Sequence, residues 1–182
     1  MAHTGDGTWH RLSRRLVHET PFLRLHADRV LTPTGGEADY GVVETGHGVG
    51  VLPFVDADHV VMVRQHRYIA DRYTWEMPTG GADSDEAMDI AAQRELAEEA
   101  GYRAGKLRHL HSFHTSKSCI DETAHVYIGE DLQPDEAVPD EVEDIERRVM
   151  PFKDVVDMVV RGEITDSMTV IAVLLVARER QM

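Results

Sequence analysis

The sequence predicts an α/β (α+β) fold in a single domain, with a small antiparallel sheet at its N-terminal end. Three observations carry this. The chain has 182 residues, the size of one domain with a sizeable core. Its first third is filled with β-rich stretches punctuated by Gly and Pro. From residue 80 onward, helix-forming stretches take over in three places.

Taken in order, residues 1 to 7 read as a disordered start. Trp9 to Val17 and Phe22 to Leu31 read as strands, the second alternating Leu23, Leu25, Ala27 with Arg24, His26, Asp28. Pro33, Gly35 and Gly36 mark a turn, and Ala38 to Glu44 reads as a third strand. The glycines of GHGVG, Gly46, Gly48 and Gly50, lie between strands and so read as turn glycines, not as a dinucleotide fingerprint. Val49 to Val55 and His59 to Arg64 look like a hairpin of the main sheet, joined by Asp56-Ala57-Asp58. A helix is expected from Asp83 or Ser84, either of which can cap it, through AAQRELAEEA to Gly101. Lys106 to Phe113, Thr123 to Ile128 and the segment around ERRVMPF read as strands. Phe152 to Arg161 has helical spacing at Val155, Val156, Val159 and Val160 and stops at Gly162. Asp166 or Ser167 caps a last helix, Met168 to Arg178.

Composition narrows the function. A net charge of −14 argues against nucleic acid or an anionic membrane as partner. The apolar run Val170 to Ala177 is far short of the ~20 residues needed to span a bilayer. With no apolar leader in MAHTGDGTWH, the reading is a soluble cytoplasmic protein. The single cysteine, Cys119, permits neither an internal disulfide nor a Cys-based zinc site, and it reads as an incidental loop thiol.

The chemistry concentrates in Gly80 to Tyr102, where Asp83, Glu86, Glu95, Glu98 and Glu99 surround one short helix. Glu95 stands three residues from Glu98 and four from Glu99, so all three share one helix side. Like charges at this spacing repel, and a divalent cation reverses the sign. Mg2+ takes oxygen ligands and keeps waters that substrate phosphates can replace. Arg94, four residues before Glu98, is placed to hold that carboxylate. Arg64, Arg67 and Arg72 cluster in an otherwise acidic protein, and an arginine fork suits a phosphate. His109, His111 and His114 fall on one strand and are assigned to a sheet face, because phosphate-bound Mg2+ prefers oxygen.

Gly80, Glu86, Arg94, Glu95, Leu96, Glu98, Glu99 and Gly101 stand at the spacing of the Nudix hydrolase signature, which the chain therefore resembles. Tyr102 departs from it, where an aliphatic residue is usual. VRQHRY followed by WEMPTGG resembles the ADP-ribose pyrophosphatase branch of that family. The resemblance implies an α/β/α sandwich with a mixed central sheet. It also implies an N-terminal dimerisation sheet over about 9–45, a Nudix core over 46–180, and a homodimer.

It further implies metal-dependent hydrolysis of a nucleoside diphosphate sugar, ADP-ribose first, with Mg2+ or Mn2+. Metal ligands would be Glu95, Glu98, Glu99 and the carbonyl of Thr79, with Glu86 as loop support or outer ligand. Arg67, Glu76 and Lys117 are the substrate-binding candidates. Glu98, Glu141 and Glu143 are the catalytic candidates, and Glu141 is preferred over Glu143 as the base in the acidic stretch DEAVPDEVEDIE. Two departures bear on specificity. The branch's Ser-Pro-Gly loop reads Ser116-Lys117-Ser118, and Ala38 to Val43 lacks an Arg-x-Glu arrangement. Lys117 would then meet a different phosphate or sugar. Alternatives are hydrolysis of GDP-mannose, UDP-glucose or NADH, and a non-catalytic nucleotide-sensing module. A sensor usually loses box carboxylates or carries an added DNA-binding domain, and here the box is intact.

Overall fold

The computed structural model describes residues 7–135 and 145–182. Among the described residues nine strands are formed: β1 His10–Glu19, β2 Arg24–Leu31, β3 Glu37–Pro53, β4 His59–Arg67, β5 Arg72–Glu76, β6 Thr79–Ala82, β7 Tyr102–His114, β8 Ile120–Pro134 and β9 Glu146–Pro151. Helices are α1 Met88–Glu95, continued by a π turn over Leu96–Ala100, then α2 Phe152–Val160 and α3 Ser167–Glu179. No helix among the described residues is long and apolar enough to cross a membrane.

The chain divides into two compact units, the first from Met1–Gly46 with His114–Thr123, the second from His47–Phe113 with Ala124–Met182. In the first, β1, β2 and the start of β3 form an antiparallel meander in the register Ala27↔Gly41 and Arg15↔Ala27. The Val43 N–H donates to the Cys119 carbonyl, which brings the start of β8 beside β3. Asp28 is buried here and takes two bonds from Arg14, both 2.9 Å. Strand β1 is exposed along its length, with Leu12, Leu16 and Val17, and Trp9 just before it, all at the surface.

In the second unit the end of β3 pairs antiparallel with β6, and β8 and β7 follow on its other side. The Phe54 N–H bonds the Gly129 carbonyl. Together with Val43–Cys119 this bond advances in the same direction along both strands, so β3 and β8 run parallel and the sheet is mixed. A second, antiparallel sheet has the order β5-β4-β9. Alternation along β3 and β4 sorts residues onto two cores. Leu52, Phe54, Val60 and Met62 pack with Phe152, Val155, Val173 and Val176 of α2 and α3. Val49, Val51, Val61 and Val63 pack with Ala91, Ala92 and Leu96 of the α1 segment. This is the layered arrangement expected. Each such fully buried aliphatic contributes roughly 1.5–3 kcal/mol.

Three expectations are corrected. The glycines of GHGVG do not separate two strands, because β3 runs unbroken from Glu37 to Pro53. Only Gly46 is left-handed, at φ +87°, while Gly48 and Gly50 pair with Gly81 and Thr79 of β6. A Cβ on Gly50 would press on the side chains of Met77 and Thr79, so glycine serves close strand approach here, not a turn. Second, β3 and β4 do not form a hairpin of one sheet. Their ends are joined by the bridge Phe54↔Val60 and by the Val55 N–H on the His59 carbonyl, but the two strands belong to different sheets. Third, the box helix starts at Met88, with no side-chain cap. Asp83 to Glu86 instead closes a turn, with the Glu86 N–H on the Asp83 carbonyl and the Asp83 N–H on the Glu86 carboxylate. Arg94 holds that carboxylate, which keeps these residues out of the helix. The other stops are as read: Gly101 and Gly162 are left-handed, at φ +76° and +73°. Asp166 caps α3 by accepting from the Thr169 N–H.

Candidate active site

Strand β6, α1 and the π turn bring the box together. Arg94 is its hub. Its guanidinium donates to both oxygens of Glu86 (3.1 and 2.9 Å), to Glu95 (2.7 Å), to Glu98 (3.1 Å) and to the Gly81 carbonyl (2.8 Å). The i,i+4 link to Glu98 is the one anticipated from spacing. The carboxylates raise the Arg94 pKa, Glu86 first among them, and Arg94 in turn holds Glu86 below its usual range.

Glu99 is only 4% exposed. One of its oxygens accepts the Thr79 N–H at 2.8 Å, and the other accepts from Gln65 Nε2 at 3.3 Å. Burying a carboxylate is costly unless its lone pairs are met, and these bonds meet them. Glu95 lies against Gly80, where an added Cβ would overlap its carboxylate. Glu95 and Glu99 thus flank the Thr79–Gly80 corner, while Glu98, on the same turn, is about one-third exposed.

Two residues outside the box support this turn. Arg147 of β9 donates from Nε to the Glu99 carbonyl at 2.5 Å and from a terminal nitrogen to the Glu98 carbonyl at 3.0 Å. It caps the carbonyls at the end of the helix, where the macrodipole is negative. Gln65 reaches Glu99 from β4. No local spacing marks either of them, and each lies more than thirty residues from its partner.

Arg67 and Glu76 meet across the β4–β5 hairpin. The Arg67 Nε lies 3.1 and 3.0 Å from the two Glu76 oxygens, and Glu76, at 3% exposure, also accepts from the Thr74 hydroxyl. Lys117 belongs to the first unit, where it lines a pocket of about 360 Å³ with Tyr40, His114, Ser116 and Asp121. Glu141 and Glu143 lie outside the described residues.

Among the described residues, no three His, Cys, Asp or Glu side chains gather closely enough to hold one ion. The donor chemistry still fits a hard divalent cation. Glu95, Glu98, Glu99 and the Thr79 carbonyl offer oxygen only, and Gly80 leaves open the space into which Glu95 reaches.

Comparison with known proteins identifies the family. The NUDIX domain matches residues 44–168, and the nucleoside diphosphate sugar hydrolase N-terminal domain matches residues 9–43. The chain belongs to the Nudix hydrolase family. Among its relatives, a Mycobacterium tuberculosis ADP-ribose pyrophosphatase is 31% identical over 169 residues, 91% of this chain and 81% of that protein. A CMP-5'-(N-acetyl-N-hydroxy-3-aminopropyl)phosphonate hydrolase from Streptomyces rubellomurinus is 27% identical over 168 residues, 92% of this chain and 82% of that one. The crystal structure of an ADP compounds hydrolase shares the fold, with a TM-score of 0.84 at 22% identity over 95% of this chain and 94% of that one.

Proposed function

We propose that this protein hydrolyses the diphosphate linkage of a nucleoside diphosphate sugar, ADP-ribose first, to a nucleoside monophosphate and a sugar phosphate. The observation that supports it most is the seating of Glu95 and Glu99 around Thr79–Gly80, with Arg94 ordering Glu86, Glu95 and Glu98. The kinship with ADP-ribose pyrophosphatases supports the substrate class.

Glu95, Glu98, Glu99 and the Thr79 carbonyl would hold Mg2+ or Mn2+. Bound there, the cation neutralises diphosphate charge and acidifies water. Arg67 steadies a phosphate, with Glu76 fixing the plane of its fork. Glu141, with Glu143 beside it in sequence, takes the proton of the attacking water. The water oxygen forms the new P–O bond, the bridging P–O bond breaks, and its electron pair leaves on the departing phosphate. The exposed apolar side chains of Trp9 and, on β1, of Leu12, Leu16 and Val17 support a homodimer that covers them. The compartment on this reading is the cytoplasm.

Lys117, in place of the branch's Pro, favours a second reading in which another base or sugar is preferred, as in GDP-mannose. Phosphate release, coupled to a phosphatase, from a panel of nucleoside diphosphate derivatives with Mg2+ and then Mn2+ decides between them. ADP-ribose as best substrate supports the first reading, and a sharp response to another compound supports the second. Tight binding with no cleavage of any compound overturns both.

A further inference from the structure

Away from the carboxylates, the second unit carries a chain of imidazoles. His47 Nδ1 on β3 lies 3.1 Å from His125 Nε2 on β8. His125 Nδ1 lies 2.8 Å from Ser112 Oγ on β7, and that oxygen lies 2.8 Å from His109 Nε2. The His47 and His125 rings are 5.2 Å apart, and His109 stands edge-on to Tyr127 at 5.4 Å. His47 and His109 are exposed, and His125 is half-buried. Burial, with His47 and His109 beside it, holds the His125 imidazole below the usual histidine range, so it stays neutral near pH 7 and keeps a lone pair.

We propose that His47 Nδ1 and His125 Nε2 form a two-point site for a borderline transition-metal cation such as Zn2+, Ni2+ or Cu2+. Two nitrogens held at about 2.0–2.1 Å from a tetrahedral Zn2+ stand roughly 3.3–3.4 Å apart. The observed 3.1 Å is within a few tenths of an ångström of that spacing. The far side of His125 also matches. A metal-ligating histidine donates its other N–H to a partner that fixes ring and tautomer, and Ser112, backed by His109, stands at that nitrogen. Among the described residues no third His, Cys, Asp or Glu completes a cage, so water fills the remaining positions. Imidazole selects these cations, whereas the box carboxylates suit Mg2+, so the two sites separate by ligand chemistry.

The test uses the full chain without a histidine tag. Zn2+ is titrated against a chromophoric zinc chelator in excess Mg2+, which occupies the carboxylates. The wild type is expected to withdraw one equivalent that both His47→Ala and His125→Gln lose and His111→Ala retains. Zn2+ should raise Tm in the wild type and not in His47→Ala. His47 is at the surface, so its removal leaves the fold intact, and circular dichroism of each variant checks this. A wild type that takes up no such equivalent, or variants that keep it while folded, overturns the site.

Discussion

The Thr79 N–H donates to the buried carboxylate of Glu99 at 2.8 Å, joining residues twenty positions apart. This bond sets the first residue of β6 against the π turn and fixes where the Thr79 carbonyl and the Glu99 carboxylate stand relative to each other. Glu99→Gln keeps an oxygen for the Thr79 N–H and removes the charge. We expect a folded enzyme whose turnover falls by more than roughly 100-fold, since even groups one step removed from a metal cost 10- to 100-fold. Steady-state kinetics beside a thermal melt is the check. Near-normal turnover in the pure variant would remove Glu99 from the metal set.

Gly80→Ala tests the seating of Glu95. The added methyl needs the space that the Glu95 carboxylate occupies, and Arg94 pins that side chain at 2.7 Å. The expected cost is about 1–3 kcal/mol from overpacking. The Mg2+ concentration for half-maximal activity should rise more steeply than stability falls. A variant with unchanged Mg2+ dependence would show that Glu95 does not need this position.

Arg147 is expected to act by positioning the turn. Arg147→Ala removes two bonds to the carbonyls of Glu98 and Glu99, worth about 1–2 kcal/mol at this exposed site. We expect kcat to drop roughly tenfold or more, KM for substrate to change little, and Arg147→Lys to recover part of the loss. A loss that tracks only the unfolded fraction across a urea series would make Arg147 purely structural.

Acid stability should depend on two arginine-held carboxylates. Arg94 holds Glu86 below its ordinary 4.5, and Arg14 holds Asp28 below its ordinary 3.8, hydrogen bonding being the first cause in each. A depressed carboxylate stabilises the fold fully above its unfolded pKa. That contribution is lost as pH falls through the folded value. Urea midpoints should therefore hold steady above about pH 5 and fall below pH 4.5. The fall should be shallower in Arg14→Met. An equal fall in that variant would mean that Asp28 is not one of the groups responsible.

Some of this architecture is written in short-range spacing. Glu95, Glu98 and Glu99 at three and four residues, Arg94 four before Glu98, the left-handed stop at Gly101 and the Asp166 cap all follow from the 3.6-residue turn and its unsatisfied ends. The period of two along β3 and β4 likewise sorted Leu52 and Val51, Met62 and Val61, onto opposite cores. The helix starts later than its local signals imply: Asp83 and Ser84 are good caps locally, while Arg94 takes the Glu86 carboxylate into a turn.

What only the tertiary structure decided are the contacts across long loops. Glu99 meets Thr79 and Gln65, Glu95 meets Gly80, Arg147 meets the last carbonyls of the box, and His47 meets His125. Backbone geometry encodes periodicity within one element. Which strand lies beside which, and at what register, is set by how whole faces bury against each other, and no interval in the sequence records that.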